Sequence, residues 1–208
     1  MSSQRPVLRR ADLPGRTRHV LHRGRARNPD VLLVDAPDGP LVVKDFAPRG
    51  AIVRRLLGPW LQRREIRAYQ ALAGHPAVPR FLGAIDALAF AVEYRPGRRM
   101  SRRLAGKIPA GFIERLAAAV REMHARGVVH LDLRHRSNVL VDDRGDPVLI
   151  DFASALVLTP GGRLARWFAR FDWAAVEKWR QRVEVTPGSV AAVASASSGE
   201  RRGASRPM

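Results

Sequence analysis

The sequence has no cysteine, and of its 37 basic residues only Lys44, Lys107 and Lys178 are lysine. The first absence excludes disulfides and thiolate metal centres. Long apolar runs are missing too. Nothing approaches the roughly 18 apolar residues of a membrane-spanning helix, and the opening stretch "MSSQRPVLRRADLPGR" lacks the apolar centre of a secretory signal. A soluble, cytoplasmic chain is the expectation. Acids are scarce, 19 against 37, and the net charge of +18 implies attraction to something anionic: nucleic acid, an acidic membrane surface, or phosphorylated or acidic substrates. Because nearly all the cations are arginine, and Ala, Gly and Pro are abundant, the bias runs through the whole chain. A generally basic surface and a dedicated anion-binding face both stay open.

What is present reads as a globular protein. A length of 208 residues with 46% apolar content suits one good-sized domain or two small lobes sharing a core. Residues 189–208, "SVAAVASASSGERRGASRPM", are small and polar without aromatics, and predict a disordered tail. Residues 1–14 predict a flexible N-terminal tail, which leaves 15–188 as the domain. The runs "HVLH", "VLLV" and "PLVVKDF", with Asp38-Gly39 between the last two, predict an antiparallel meander. A helix follows, with Pro59 in its first turn and Gly74 past its end. Leu61, Ala68, Tyr69 and Leu72 recur on it at helical spacing, and Glu65 lies on the same stripe.

"RFLGAI" and "LAFAVEY" are two further strands, closed by Arg95-Pro96-Gly97. A helix from about Ala110 to Arg126 presents Phe112, Ile113, Leu116, Val120 and Met123 on one face and ends at Gly127. "NVLV", the turn "DDRGD" and "PVLI" form a hairpin ending at Asp151, and "FDWAAVEKWRQRV" is a last helix. No repeat is visible. Strands with one helix, then mostly helices with one hairpin, predict an α+β chain of two lobes, 15–95 and 98–188, with a cleft between them.

Between two apolar segments lies "HLDLRHRSN", residues 130–138, too polar to be buried and too closely bracketed to be a free loop. Together with "VVKDF", "REIRAYQAL" and "VLIDFA" it resembles the protein-kinase-like phosphotransferases over roughly residues 19–180. The resemblance implies a bilobal protein-kinase-like fold, with an antiparallel-sheet N-lobe and a reduced, mostly helical C-lobe. It implies ATP and Mg²⁺ as cofactors. Phosphoryl transfer asks a protein mainly for positioning and charge neutralisation. By resemblance, Lys44 holds the α- and β-phosphates and Glu65 fixes its direction. Glu93 and Tyr94, at the end of "LAFAVEY", bind the nucleotide. Asp132 orients the acceptor hydroxyl as the catalytic carboxylate, and Asn138 and Asp151 supply metal-binding oxygens. His130 reads as scaffold. Asp172 is either a brace for the catalytic loop or a helix N-cap.

Three features depart from the family pattern. The interval from Asp132 to Asn138 is one residue longer than usual, so "LRHRS" must absorb an insertion. Alanine follows Asp151-Phe152 where glycine is common, which is harmless if its φ is negative. The phosphate loop is not glycine-rich: "HRGRARNPD" offers Gly24 among Arg23, Arg25 and Arg27. With only 37 residues from Asp151 to Gly188, the lower lobe is economical, as in the RIO-type atypical protein kinases and the lipopolysaccharide-core (Kdo/heptose) sugar kinases. The expected partner is a hydroxyl-bearing acceptor, protein Ser/Thr or phosphorylated saccharide, with peripheral contact at the inner membrane face or with nucleic acid. The alternative is a catalytically inactive kinase-like module that binds an anionic partner.

Overall fold

Strict alternation along one strand decides the layout of the first half. In the computed structural model, which describes residues 8–100 and 108–184, strand β3 (Leu41–Asp45) runs through the centre of a five-stranded sheet. The other strands are β1 (Thr17–His22), β2 (Asp30–Val34), β4 (Phe81–Ala84) and β5 (Ala89–Glu93), in the order β1-β2-β3-β5-β4, every pair antiparallel. Side chains of a strand point alternately to the two faces. Leu41 and Val43 therefore join Val34, Ala89 and Ala91 on the outer face, whereas Val42 and Lys44 point to the other. The β2–β3 turn has Gly39 at φ +111, a conformation that the Asp38-Gly39 pair anticipates.

Leu8 and Leu13, both within the expected N-terminal tail, are instead buried against that outer face. This corrects the expected boundary at residue 15 for residues 8–14. The physical reason is that an outer sheet face lined with Leu41, Val43 and Ala91 needs a cover. A short 3-10 turn, Arg10–Asp12, and helix α1 (Leu13–Arg16) provide it. Arg10 bonds both carboxylate oxygens of Asp45 at 3.1 Å and reaches Asp86, which raises its already high pKa. Residues 1–7 and the expected tail at 189–208 lie outside the described residues.

The inner face of the sheet meets helix α2 (Gly58–Ala71), which continues directly from a π-helical turn at Val53–Leu57. Its buried side chains, Gln62, Glu65, Ala68 and Tyr69, follow the 3.6-residue period of one face. The chain then forms β6 (Arg98–Arg99), helix α3 (Phe112–Ala125) and β7 (Val128–Val129). The hairpin β8 (Val139–Val141) and β9 (Pro147–Leu149) pairs with β6, and β10 (Leu156–Val157) pairs with β7. Gly127, at φ +76, lets the chain reverse between α3 and β7; a Cβ there would lie 3.2 Å from the Pro160 ring and closer still to the Leu158 carbonyl oxygen.

The last helix, α4 (Arg163–Glu184), begins eight residues before the expected "FDWAAV" start. Its first turns, "RLARWFAR", carry several large apolar residues that are exposed, so core periodicity alone gave no reason to extend it. One apolar core joins the inner sheet face to the helices: Tyr69, Phe90, Phe112, Met123, Phe152 and Trp179 all belong to it.

Candidate active site

A cavity of about 630 Å³ opens between the inner face of the sheet and the loop after β7. Every sequence-predicted site residue except Glu65 lines it directly: Lys44, Glu93, Tyr94, Asp132, Asn138 and Asp151. Glu65 is buried at 1% exposure behind Lys44, where it accepts a bond from Nζ at 2.5 Å. Position 65 follows Gln62 and precedes Tyr69 on the inward stripe of α2, so the helix aims the carboxylate at the strand. Lys44 Nζ also lies 2.7 Å from Asp151 Oδ1. Burial opposes the lysine charge, but the carboxylates of Asp151 and Glu65 outweigh it and raise the lysine pKa. Asp151, in turn, is held down to about 2, chiefly by Lys44. Burial pushes the Glu65 carboxyl up, with Lys44 opposing.

Asp151 sits at φ +66, a left-handed conformation uncommon for a residue with a Cβ. It turns the carboxylate out of the end of β9 into the cleft while Phe152 turns into the core. Ala153, in the 3-10 turn Phe152–Ser154, is not among the positive-φ positions, so alanine fits there. Phe152 packs at 4.7 Å from the His130 ring and at 5.1 Å, edge-on, from Tyr69. This stack ties the helix bearing Glu65 to the loops bearing Asp132 and Asp151.

The polar loop folds as two consecutive turns. The His135 N–H donates to the Asp132 carbonyl at 3.2 Å, and the Asn138 N–H donates to the His135 carbonyl at 3.1 Å. Two turns in series thus span the six-residue interval from Asp132 to Asn138. Asn138 Nδ2 donates to Asp132 Oδ2 at 2.9 Å and to the Asp132 carbonyl at 3.0 Å, while Asn138 Oδ1 accepts from Ser137. The Asp132 carboxylate and the Asn138 amide thus fix each other. Trp179 Nε1 donates to the Leu133 carbonyl at 3.0 Å and Lys178 Nζ to the Arg134 carbonyl at 2.7 Å, fastening the middle of the loop to α4.

His130 is scaffold. It is fully buried and desolvation lowers its pKa; its Nε2 donates to the Ile150 carbonyl at 3.1 Å, which leaves Nδ1 facing the Asp132 N–H. Asp172 lies inside α4, well past its first turn, so the brace reading holds and the N-cap reading does not. It is fully buried and accepts the N–H of His130 and of Leu131, each at 2.8 Å. Those two bonds stabilise Leu131 at φ +67.

The β1–β2 turn, where "HRGRARNPD" departs from a glycine-rich pattern, is held by Asp30 and Arg49, two residues outside the motifs. Gly24 donates its N–H to Asp30 Oδ1 at 2.9 Å, and Arg49 bonds both Asp30, at 2.5 Å, and the Gly24 carbonyl. A Cβ at Gly24 would lie 2.6 Å from the Pro29 carbonyl carbon. One glycine and a buried Asp30–Arg49 pair hold the β1–β2 turn over the cavity. Only a buried acid directly after Asn28-Pro29 could have signalled this in the sequence.

Among the described residues, no group of three or more His, Asp or Glu side chains is placed to hold a metal ion. The oxygens of Asn138 and Asp151 are nonetheless the donor type that Mg²⁺ takes when it binds through one or two protein oxygens and substrate phosphates. The residues present fit that ion as a companion of a nucleotide.

No family model matches the chain. Over 73 residues, 33% of this chain, it is 38% identical to "Putative CBL-interacting protein kinase 13" of Oryza sativa subsp. japonica, with 14% of that protein covered. Over 110 residues, 48% of this chain, it is 34% identical to "Calcium-dependent protein kinase 27" of the same organism, with 18% of that protein covered. The chain therefore spans less than a fifth of the length of these curated relatives. Over part of its length it is similar to protein kinases.

Proposed function

We propose that this protein is an ATP- and Mg²⁺-dependent kinase of the protein-kinase-like class, transferring the γ-phosphate to a hydroxyl acceptor. The observation that carries the reading is Lys44 Nζ, bonded to both Glu65 and Asp151, in the same cavity as the mutually bonded Asp132 and Asn138. Each group has a task in that reaction. Lys44, held cationic, neutralises phosphate oxygens, and Glu65 fixes its direction. Glu93 and Tyr94 border the nucleotide base at the end of β5. Asp132, positioned by Asn138, orients the acceptor hydroxyl and takes its proton. Asn138 and Asp151 would hold Mg²⁺ together with the nucleotide, and the ion would supply charge neutralisation on the phosphates.

The short connection from Asp151 to α4, made of the turn at Phe152–Ser154, β10 and the turn ending at Gly162, supports the compact RIO-type or lipopolysaccharide-core branch. It leaves no room for a long substrate-docking segment before α4. The acceptor is then a protein Ser/Thr or a lipopolysaccharide-type saccharide, and Arg99 and Arg136 at the cavity wall favour one bearing negative charge.

A second reading, an inactive kinase-like module, is favoured by the β1–β2 turn, where a fixed Asp30–Arg49 pair replaces a flexible glycine run. Incubating the purified protein with radiolabelled ATP and Mg²⁺, alone and with cell extract, separates the two. Label transfer that disappears in Asp151→Asn, with the circular dichroism spectrum unchanged, supports the kinase. Absence of nucleotide binding at millimolar ATP assigns the inactive module.

A further inference from the structure

The first half of α4 has a face that neither the core nor the cleft uses. In "RLARWFARF", residues 163–171, Leu164, Trp167, Phe168 and Phe171 recur at three- and four-residue spacing and form one stripe. Leu164 is 64% exposed, Trp167 49% and Phe171 47%. They are organised, not scattered: Trp167 packs edge-on against Phe168 at 4.7 Å and Phe171 at 5.6 Å. Core contacts come from other positions of the same helix, such as Ala165, Asp172 and Val176.

Cations adjoin this stripe. Arg163, Arg166 and Arg170, all exposed, recur on the neighbouring side of the helix, and the Arg170 guanidinium lies 5.3 Å over the Trp167 ring. Arg121 of α3 joins Arg166 at a shallow depression beside them. Residues 163–171 contain no acid.

An exposed aromatic stripe bordered by arginines selects its partner by chemistry. Single-stranded nucleic acid would satisfy the guanidinium groups and stack bases on the rings, but would leave Leu164, the most exposed apolar side chain of the stripe, without an apolar partner. A second copy docking face to face would set Arg163, Arg166 and Arg170 against the same cations. A membrane surface answers both demands, because rings and leucine enter the acyl boundary while arginines meet phosphates at the level of the headgroups. We propose that this face of α4 docks on membranes rich in anionic phospholipid, lying in the interface and not crossing it. Among the described residues no helix is long and apolar enough to cross. The proposal is independent of the kinase reading.

The test is co-sedimentation of the full chain with vesicles of pure phosphatidylcholine and of equal parts phosphatidylcholine and phosphatidylglycerol. The comparison variant is W167A/F171A, which keeps the net charge and removes only exposed rings. Wild type is expected to bind the anionic vesicles, with its tryptophan emission quenched by lipids brominated in the acyl chain, and not the neutral ones. The variant should partition at least about tenfold more weakly at the same salt concentration. W60A, at an exposed tryptophan elsewhere, should bind as wild type does and shows that any loss is local. Equal binding by wild type and W167A/F171A would mean that charge alone acts and would overturn the proposal. So would vesicle binding absent in wild type, whether the double variant then loses retention on single-stranded RNA or loses a concentration-dependent dimer.

Discussion

Lys44 and Asp151 stand 107 residues apart in the chain and 2.7 Å apart in the fold, the amine of one strand end bonded to the carboxylate at the end of another. Glu65, from the helix between them, takes a second bond from the same Nζ, so three elements converge on one cation. A buried carboxylate whose only cation is removed costs far more than a pair replaced whole. Lys44→Met should therefore lower stability by about 3 kcal/mol, through the stranded Glu65. The double variant Lys44→Met/Glu65→Leu should recover most of that loss while remaining without phosphotransfer. Urea midpoints and labelled-ATP turnover, measured on the same preparations, decide it; a double variant no more stable than Lys44→Met would contradict the pairing.

Asp172 governs the loop through the backbone. Asp172→Ala leaves the N–H groups of His130 and Leu131 without their acceptor in a buried setting, and Leu131 keeps its left-handed conformation with nothing to hold it. Unpaired buried donors cost about 1–3 kcal/mol each, so a loss of about 3 kcal/mol is expected, with Asp172→Asn intermediate because one acceptor oxygen survives. Turnover should fall further than nucleotide affinity, since Lys44 is untouched. Comparable losses in kcat and in ATP affinity would place Asp172 in general stability only.

Much of this site was legible because its residues stand at the ends of strongly periodic elements. The apolar run "PLVVKDF" put Lys44 at a strand end, the helical stripe turned Glu65 inward, and the apolar runs around "HLDLRHRSN" fixed where that loop begins and ends. What was not legible depends on contacts between distant segments. Arg49 and Asp30 join a loop to a strand start, and neither lies in a periodic pattern. The packing of Leu8 and Leu13 depends on an outer sheet face that exists only once the sheet has formed. The start of α4 was missed because its exposed aromatic stripe mimics neither a core helix nor a loop.

Stability should also report the buried imidazoles. Burial holds His75 and His130 below the ordinary value of 6.5. Between that value and their native pKa the unfolded chain binds protons that the folded chain does not, so stability rises with pH there. Their contribution is complete above about pH 6.5 and declines as pH falls below it. Asp151, lowered from 3.8 to about 2, adds a second decline as pH drops through that lower window. Urea midpoints should be flat just above pH 7 and fall toward pH 5, and His75→Gln should flatten part of that slope. A midpoint that rises on acidification over the same interval would refute the assignment.

If the Asp132–Asn138 loop serves phosphotransfer as proposed, Trp179 is a positioning residue for it. Its indole N–H is the bond that anchors the Leu133 carbonyl, inside the double turn, while its ring fills the core at 2% exposure. Trp179→Phe keeps an aromatic ring there and deletes the donor, so the loss of stability should stay near 1–2 kcal/mol, from one neutral hydrogen bond and a modest cavity. The loop, freed at Leu133, should let the Asp132–Asn138 pair drift from its fixed geometry, and small misplacements of a reacting group are costly. Turnover is expected to fall at least about tenfold with ATP affinity within about twofold of wild type. Trp179→Leu, which lacks both donor and ring, should lose stability further without a comparable extra loss of turnover per folded molecule. If Trp179→Phe turns over ATP as wild type does, the bond to Leu133 carries no positioning role, and the loop is held by Lys178 and the turns alone.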